Sequence, residues 1–167
     1  MPEGAPPLVI RVASPPDAAA LATLISEQDL HYWDTDPFAD RDGAEIVAQW
    51  LRRENCDGRF AIAERAGEAV GLIHFAVFRP GVGLSGVLFV KDLFVSQRAR
   101  SGGVGAAMMV WLGRLCEAEG YGRLDLTAED YNPRARSFYA GLGSSERDEK
   151  IYIRWDGERL KQLAQSG

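Results

Sequence analysis

The hydrophobic positions change their spacing several times along the first part of the chain, and each change predicts a new element. β-Branched residues predict a strand over 8–12, and Ser14-Pro15-Pro16-Asp17 then supplies a helix N-cap with prolines in the first turn. An apolar face at three-and-four spacing predicts a helix from there to about Trp33. The same spacing predicts a second helix over about 42–53.

Strand-like patterns dominate the middle of the chain. Residues 60–64 and 69–78 predict a hairpin, and a longer strand is expected over about 84–95. Beyond it, apolar positions recur at helical spacing up to Gly120. The later elements are expected in this order: a strand over 123–128, a helix over 134–142, a strand over about 150–155 and an amphipathic tail helix with Leu160 and Leu163.

This order, β-α-α-β-β-β-α-β-α-β, predicts an α/β fold with a mixed (α+β) sheet. Three sequential antiparallel strands followed by a βαβ crossover give such a sheet, with helices on both faces. At 167 residues and without repeats or linkers, the chain is expected to form a single domain, 1–167, with a flexible leader at 1–7.

Composition narrows the classes of function. Hydrophobic residues make up 46% of the chain and charged residues 26%, which is typical of a globular protein. The net charge of −5 argues against a nucleic-acid partner. Neither a signal-peptide pattern nor a run of about 18 apolar residues is present, so we expect a cytoplasmic protein without membrane contact. Cys56 and Cys116 form no metal-binding spacing and are expected to be free thiols.

The strongest motif is a glycine-rich turn after the strand that ends at Val95. Glycines at a strand-to-helix turn let backbone N–H groups approach phosphates, and the helix dipole favours their negative charge. A Walker loop would need Gly-Lys-Ser/Thr, which is missing here, and a dinucleotide fingerprint fails at Met108. The remaining pattern, Arg-x-x-Gly-x-Gly, is satisfied by Arg100, Gly103 and Gly105.

That pattern resembles the acyl-CoA pyrophosphate loop of the GNAT superfamily of N-acetyltransferases. A second stretch, from Asn132 to Gly143, is similar to the family's Asn-x-x-Ala-x-x-Phe-Tyr-x-x-x-Gly helix, and the likeness covers roughly residues 8–160. It implies a GNAT-like acyl-CoA N-acyltransferase fold, acetyl-CoA as cofactor and N-acetyltransferase activity. Within the superfamily the chain most resembles the spermidine/spermine (diamine) N-acetyltransferases. Lys91, however, stands where those enzymes have the first residue of an acidic pair, whereas Asp92 keeps the second.

The resemblance also implies which residues hold the cofactor. Backbone N–H groups of the turn would bind the pyrophosphate, and the preceding strand would pair with the pantetheine arm, with the Val95 amide facing the thioester carbonyl. The strand side chains are core residues in either interpretation, and a solvated position suits Arg136 equally well. The cofactor residues implied are Leu93, Phe94, Val95, Arg100, Ser101, Gly102, Gly103, Val104, Gly105, Ala106, Asn132, Arg136 and Tyr139.

Acetyl transfer to an amine needs a proton acceptor and a proton donor. Tyr139 is the candidate general acid, because a phenol can protonate a departing thiolate; the alternative is a core aromatic residue. Asp92 is the candidate base or substrate anchor, because an apolar strand does not tolerate a carboxylate without a partner or a task. The alternative is a salt bridge to Lys91, although adjacent strand side chains point to opposite faces. Glu129 is a second candidate base, and His74 is interpreted as structural.

The acceptor pocket is expected where the first two helices meet. Aromatic and acidic residues there suit an alkylammonium group, although a solvated loop is equally compatible. We therefore expect a homodimeric enzyme that acetylates a primary amine of a small molecule (a polyamine, diamine or amino-acid-like compound) by direct attack in a ternary complex. The rivals are a protein or peptide N-acetyltransferase and a catalytically silent acyl-CoA-binding sensor. The predicted substrate residues are Glu27, His31, Tyr32, Trp33, Asp92 and Glu129, with Asp29, Asp34 and Asp36 as further acids.

Overall fold

The computed structural model describes residues 6–53 and 58–165. Most of the expected leader, 1–7, lies outside the described residues, as does Cys56. The described chain forms two compact units, one that ends at Thr127 and one that begins at Ala128. Within this described part, none of the helices has the length and apolar content that crossing a membrane requires.

The first unit consists of a five-stranded sheet and the helices that pack on it, and the second unit is helical. In the first unit the elements are β1 (Leu8–Val12), α1 (Ala18–Trp33), α2 (Gly43–Arg52), β2 (Arg59–Arg65), β3 (Glu68–Phe78), β4 (Gly86–Val95), α3 (Val104–Glu119) and β5 (Tyr121–Leu126). Short 3-10 turns lie at Pro15–Asp17, Val82–Leu84 and Gln97–Ala99. The second unit carries α4 (Pro133–Gly141) and α5 (Gly157–Gln165).

The sheet is mixed, which confirms the predicted fold class. Its strand order is β1-β2-β3-β4-β5, with antiparallel pairing from β1 to β4 and a parallel β4–β5 pair that α3 connects. Met108 and Leu112 of α3 belong to one buried cluster with Ile73, whereas Leu21 of α1 belongs to a second cluster with Leu72. Because adjacent strand residues point to opposite faces, helices cover both faces of the sheet. Burial of each such side chain stabilises the fold by about 1.5–3 kcal/mol.

The strand predicted over about 150–155 is not formed: these residues have no regular secondary structure. The alternation of Ile151, Tyr152 and Ile153 favours a strand, yet a strand exists only as part of a ladder, and no described strand pairs with this stretch. The element order therefore ends in two helices. Another difference is that β5 begins earlier than predicted, because Gly120, with a φ of 69°, ends α3 in the left-handed conformation and turns the chain at once.

Candidate active site

The glycine-rich turn joins β4 to α3 and presents the start of that helix. Ser101 and Gly103 adopt left-handed φ values of 66° and 73°, and Gly103 is the N-cap of the 16-residue helix α3. Because glycine has no side chain, it supplies no capping acceptor for the first N–H groups of the helix. These N–H groups and the helix dipole together favour a bound anion.

Two arginines brace this turn. Arg100 donates from Nε to the carbonyl of Val95 at 3.2 Å, and its guanidinium lies 5.8 Å from the centre of the Phe94 ring. Arg65, at the end of β2, donates from Nη2 to the Gly102 carbonyl at 3.4 Å. The Nε of Arg65 is buried and has no hydrogen-bond partner within the described part of the chain. A buried donor without an acceptor costs about 1–3 kcal/mol, so the turn and its orphaned donor fit a pyrophosphate group.

The end of β4 has an open backbone edge. The parallel ladder with β5 stops at the Val90–Leu126 pair, whereas the ladder with β3 continues to Val95. Among the described strands, none pairs with residues 91–95 on the β5 side. Leu93 and Phe94 nevertheless contribute their side chains to the buried clusters. An extended ligand could therefore add to this edge as a further strand does, through the backbone alone.

A bulge in β4 places Lys91 beside Asp92. In the β3–β4 ladder His74 is opposite Asp92 while Phe75 is opposite Val90, so Lys91 is the extra residue. A bulge turns a side chain away from the regular alternation of faces. Lys91 Nζ accordingly lies 2.9 Å from Asp92 Oδ2. The expectation that the two side chains point apart is therefore wrong, because the strand is not regular at this position.

A cavity of about 690 Å³ lies between α1, α2 and strands β1 to β4. It contains both positive and negative groups and several aromatic walls. Its charged, aromatic and amide lining residues are Gln28, Asp29, Trp33, Trp50, Arg53, Arg59, Phe60, His74, Lys91 and Asp92. The bulge at Lys91 and Asp92, where the open edge of β4 begins, thus borders this cavity of the first unit.

Asp92 is the most heavily hydrogen-bonded group of this cavity. Gln28 Nε2 donates to its Oδ1 at 3.2 Å, and Lys91 Nζ and His74 Nδ1 lie 2.9 Å and 3.5 Å from its Oδ2. Burial alone would raise the pKa of Asp92, but the hydrogen bonds from His74 and Lys91 outweigh it and lower the pKa to about 2. The carboxylate therefore stays ionised at neutral pH and is a weak proton acceptor. The His74 ring is fixed by stacking on Phe60, with ring centres 4.3 Å apart.

Asp29, on α1, is the second carboxylate of the cavity, and its surroundings differ. No described residue forms a hydrogen bond or ion pair with its side chain. Burial raises its pKa, the negative charge of Asp92 raises it further, and the positive charge of Lys91 opposes both without reversing the shift. Asp29 is thus a carboxylate in need of a positive partner.

The predicted acceptor residues of α1 are only partly on the cavity wall. Trp33 lines it, whereas Glu27, His31 and Tyr32 do not. The cavity face of the helix is set by Ile25 with Gln28 and Asp29, at three-and-four spacing, which turns Glu27 and His31 away. Tyr32 is exposed and packs edge-on against His31, with ring centres 4.8 Å apart.

The predicted residues of the second unit lie on and next to α4. Asn132 Oδ1 accepts a hydrogen bond from the Ala135 N–H at 3.0 Å, which is the geometry of an N-cap. Arg136 is bound by Glu146 through two hydrogen bonds of 2.6 Å and 2.8 Å. Tyr139 packs edge-on against Phe138, with ring centres 5.0 Å apart. Glu129, before the helix, is exposed, and its carbonyl accepts from the Asn132 N–H at 3.0 Å.

Several residues of the site were not predicted from the sequence. Arg65 contacts a turn 37 positions away along the chain, and no local pattern signals such a contact. Trp50 and Phe60 belong to the regular apolar patterns of a helix and a strand, so the sequence indicates core positions for both. Gln28 has no distinguishing neighbour. A helical wheel of α1 drawn around Asp29 is the one sequence signal that would have favoured the observed face, which includes Trp33, over His31 and Tyr32.

Comparison with known proteins gives a consistent family. The model of the acetyltransferase (GNAT) family matches residues 19–143. The uncharacterized N-acetyltransferase YhfO of Bacillus subtilis (strain 168) is 31% identical over 137 residues, which are 82% of this chain and 89% of that protein. The structure of an integron cassette protein from the mobile metagenome of V. cholerae superimposes with a TM-score of 0.83 at 29% identity, covering 95% of this chain and 98% of the other. An aminoglycoside acetyltransferase from an uncultured soil metagenomic sample, in complex with sisomicin, superimposes with a TM-score of 0.75 at 15% identity, covering 89% of this chain and 95% of the other. At this identity the likeness shows the fold alone.

Proposed function

The chain belongs to the acetyltransferase (GNAT) family, and from this premise we propose that it acetylates the primary amine of a small molecule by direct attack in a ternary complex. Members of this family are N-acetyltransferases that use acetyl-CoA, and this chain is one of them. The observation that carries the small-molecule acceptor is the cavity of about 690 Å³, whose lining in the described part of the chain includes the carboxylates of Asp29 and Asp92 at the point where the open edge of β4 begins. A volume of this order suits a small ligand.

On the cofactor side, backbone groups of this chain do most of the binding. The N–H groups from Ser101 to Ala106 would hold the pyrophosphate, and the Arg65 guanidinium would add a positive charge and its orphaned Nε donor. The open edge of β4 from Leu93 to Val95 would pair with the pantetheine arm. Acetyl-CoA, when bound, supplies an acetyl thioester that is activated toward amines.

On the acceptor side, Asp92 serves as an orienting group that holds Lys91, His74 and Gln28 at the cavity wall. A carboxylate with a pKa of about 2 attracts cations, but it is too weak a base to take a proton from an alkylammonium group efficiently. Tyr139 is carried over from the family resemblance as the general acid that protonates the leaving thiolate. Of the acceptors named from the sequence, polyamines have the weakest support, because the ammonium group of Lys91 already occupies Asp92.

The proposal is tested by measuring CoA release with a panel of polyamines, monoamines, amino acids and short peptides, after acetyl-CoA binding has been established by thermal shift. We expect acetyl-CoA to raise the melting temperature and at least one small amine to be acetylated. Turnover confined to peptides would favour the protein-acetylating rival. Binding without release of CoA on any amine would favour the sensor. In a Tyr139→Phe variant, unchanged turnover would contradict the assignment of the general acid.

A cytoplasmic location, a homodimer and a single domain over 1–167 stay predictions from the sequence and the family resemblance. Ultracentrifugation of the purified chain tests the dimer directly. Limited proteolysis with mass spectrometry tests whether cleavage next to Thr127 releases two stable fragments, which would contradict the single domain.

A further inference from the structure

The pairing of the charged groups on the cavity wall bears on which amines can enter. Among the residues that the structure describes, the carboxylates lining the cavity are Asp29 and Asp92, and Lys91 lines it with a largely exposed side chain. Arg53 and Arg59 also line the cavity, but the Arg59 guanidinium lies 5.3 Å over the ring of Phe75, which belongs to the buried cluster on the α3 face of the sheet. Each ammonium group of a ligand therefore needs one of these two carboxylates as its partner.

Lys91 neutralises one of the two carboxylates. Its Nζ lies 2.9 Å from Asp92 Oδ2, a normal distance for a charge-assisted hydrogen bond. The bulge at Lys91 makes this contact possible between neighbouring residues of one strand. An ammonium group of the chain itself thus occupies the position on Asp92 that a second ammonium group of a ligand would need.

Asp29 is the carboxylate that Lys91 leaves unpaired. Its side chain lines the cavity without a hydrogen bond or ion pair from any described residue. A half-buried charge without a partner is unfavourable, and a single ammonium group of a ligand would relieve it. The Asp29 side chain lies on the same helical face as Ile25, so the ammonium group would be held at an apolar wall.

The rest of the lining is suited to an apolar body. Trp33 and Trp50 line the cavity, and Leu51, Phe60 and Leu72 add apolar surface. Aromatic faces also attract an ammonium group by cation–π interaction. Apolar walls cannot solvate a second charge, so a charged far end would be left without compensation.

We propose that the acceptor is a primary monoamine with an apolar body, held by Asp29, and that Lys91 is the residue that excludes diamines and polyamines. This specificity rests on the proposed function of the same cavity. Lys91 acts in it through charge: its ammonium group occupies Asp92 and repels a second positive charge on the ligand.

Pentylamine and cadaverine test the proposal, because they share a five-carbon chain and differ by one ammonium group. We expect kcat/KM for pentylamine to exceed that for cadaverine by about tenfold or more at pH 8. In Lys91→Glu, which turns the cation into an anion on an exposed bulge, the ratio should fall by about tenfold or reverse. Lys161→Glu makes the same charge change at a lysine that does not line the cavity, and it should leave the ratio unchanged.

Two further measurements make the outcome unambiguous. Asp29→Asn should lower kcat/KM for pentylamine while acetyl-CoA affinity stays constant. Calorimetric titration of each amine into the protein with CoA present reports the same preference without turnover. The proposal would be overturned if the enzyme acetylated or bound cadaverine with the same efficiency or affinity as pentylamine. It would also be overturned if Lys91→Glu left the ratio of the two kcat/KM values unchanged. Failure of the proposed function differs from this, because it would show as no turnover of any amine while the binding preference is still measurable.

Discussion

The glycine turn and the acceptor cavity are built from different parts of the chain. The turn is formed by consecutive residues around Gly103 and presents backbone N–H groups at the start of α3. The cavity is formed by residues of α1, α2 and four strands, between Val12 and Asp92, and it is lined by charged and aromatic side chains. Backbone recognition of a pyrophosphate is independent of side-chain identity, so the turn suits any acyl-CoA. Acceptor choice therefore depends on the cavity.

The largest effect is expected from breaking the turn. Gly103→Val puts a β-branched residue at a φ of 73°, which costs roughly 1–2 kcal/mol in backbone strain. Because several N–H groups move together, we expect acetyl-CoA affinity to fall by about a hundredfold, measured by calorimetry. Gly113→Val is the matched control, because it lies within α3 and its Cβ would meet no atom within 4 Å. Equal acetyl-CoA affinity in the two folded variants would show that the turn does not bind the cofactor.

Breaking the cavity should leave the cofactor untouched. Asp92→Asn keeps the shape of the side chain but removes the charge that Lys91 and His74 surround. We expect kcat/KM for the amine to fall by about thirtyfold, equivalent to the loss of about 2 kcal/mol from charge-assisted hydrogen bonds, with the acetyl-CoA Kd unchanged. Asp125→Asn removes a carboxylate that is paired with Arg123 and does not line the cavity. A parallel loss in that control would mean that the effect is not specific to the site.

The pH dependence of stability separates a structural carboxylate from one that serves the cavity. Hydrogen bonds from Arg11 lower the pKa of Asp17 to about 2, and His74 and Lys91 do the same for Asp92, from an ordinary value of 3.8 for each. A pKa depressed in the folded state gives stability above pH 3.8 that is lost as the pH falls toward 2. We expect each group to contribute roughly 2 kcal/mol to the unfolding free energy over this window, measured by urea denaturation.

Variants of the two carboxylates should separate the structural role of Asp17 from the cavity role of Asp92. Asp17→Asn and Asp92→Asn should each remove part of the pH dependence, and Asp92→Asn alone should change the amine kinetics. An Asp17→Asn variant with an altered kcat/KM for the amine would contradict this division.

The contrast between the glycine turn and the acceptor cavity also explains how much of the structure the sequence alone could predict. The strands β1 to β4, the helices α1 to α3 and the glycine turn follow from local periodicity and from neighbouring residues, and they were predicted to within a few positions. Residues 150–155 mark the limit of this approach, because a strand pattern is local whereas the partner strand is not.

The cavity could not be predicted in the same way. Asp29, Trp50, His74 and Asp92 lie on four different elements, and only the packing of α1 and α2 on the sheet brings them to one wall. The bulge at Lys91 depends on the register with β3, which no pattern within β4 contains. Lys91 was noticed only as a departure from a family motif, and its contact with Asp92 required the structure.

The smallest effect is expected from Arg65, which contributes a side chain to the glycine turn, where the other binding groups are backbone N–H groups. Arg65→Gln removes the guanidinium that donates to the Gly102 carbonyl and whose Nε has no acceptor in the described part of the protein. We expect acetyl-CoA affinity to fall by about fivefold, close to the 1 kcal/mol of one surface charge contact. Arg98→Gln is the control, because Arg98 also donates to a backbone carbonyl, that of Ala69 at 2.7 Å. A salt titration adds a second readout: the affinity difference between the two variants should shrink as ionic strength rises, if the Arg65 charge faces the phosphates.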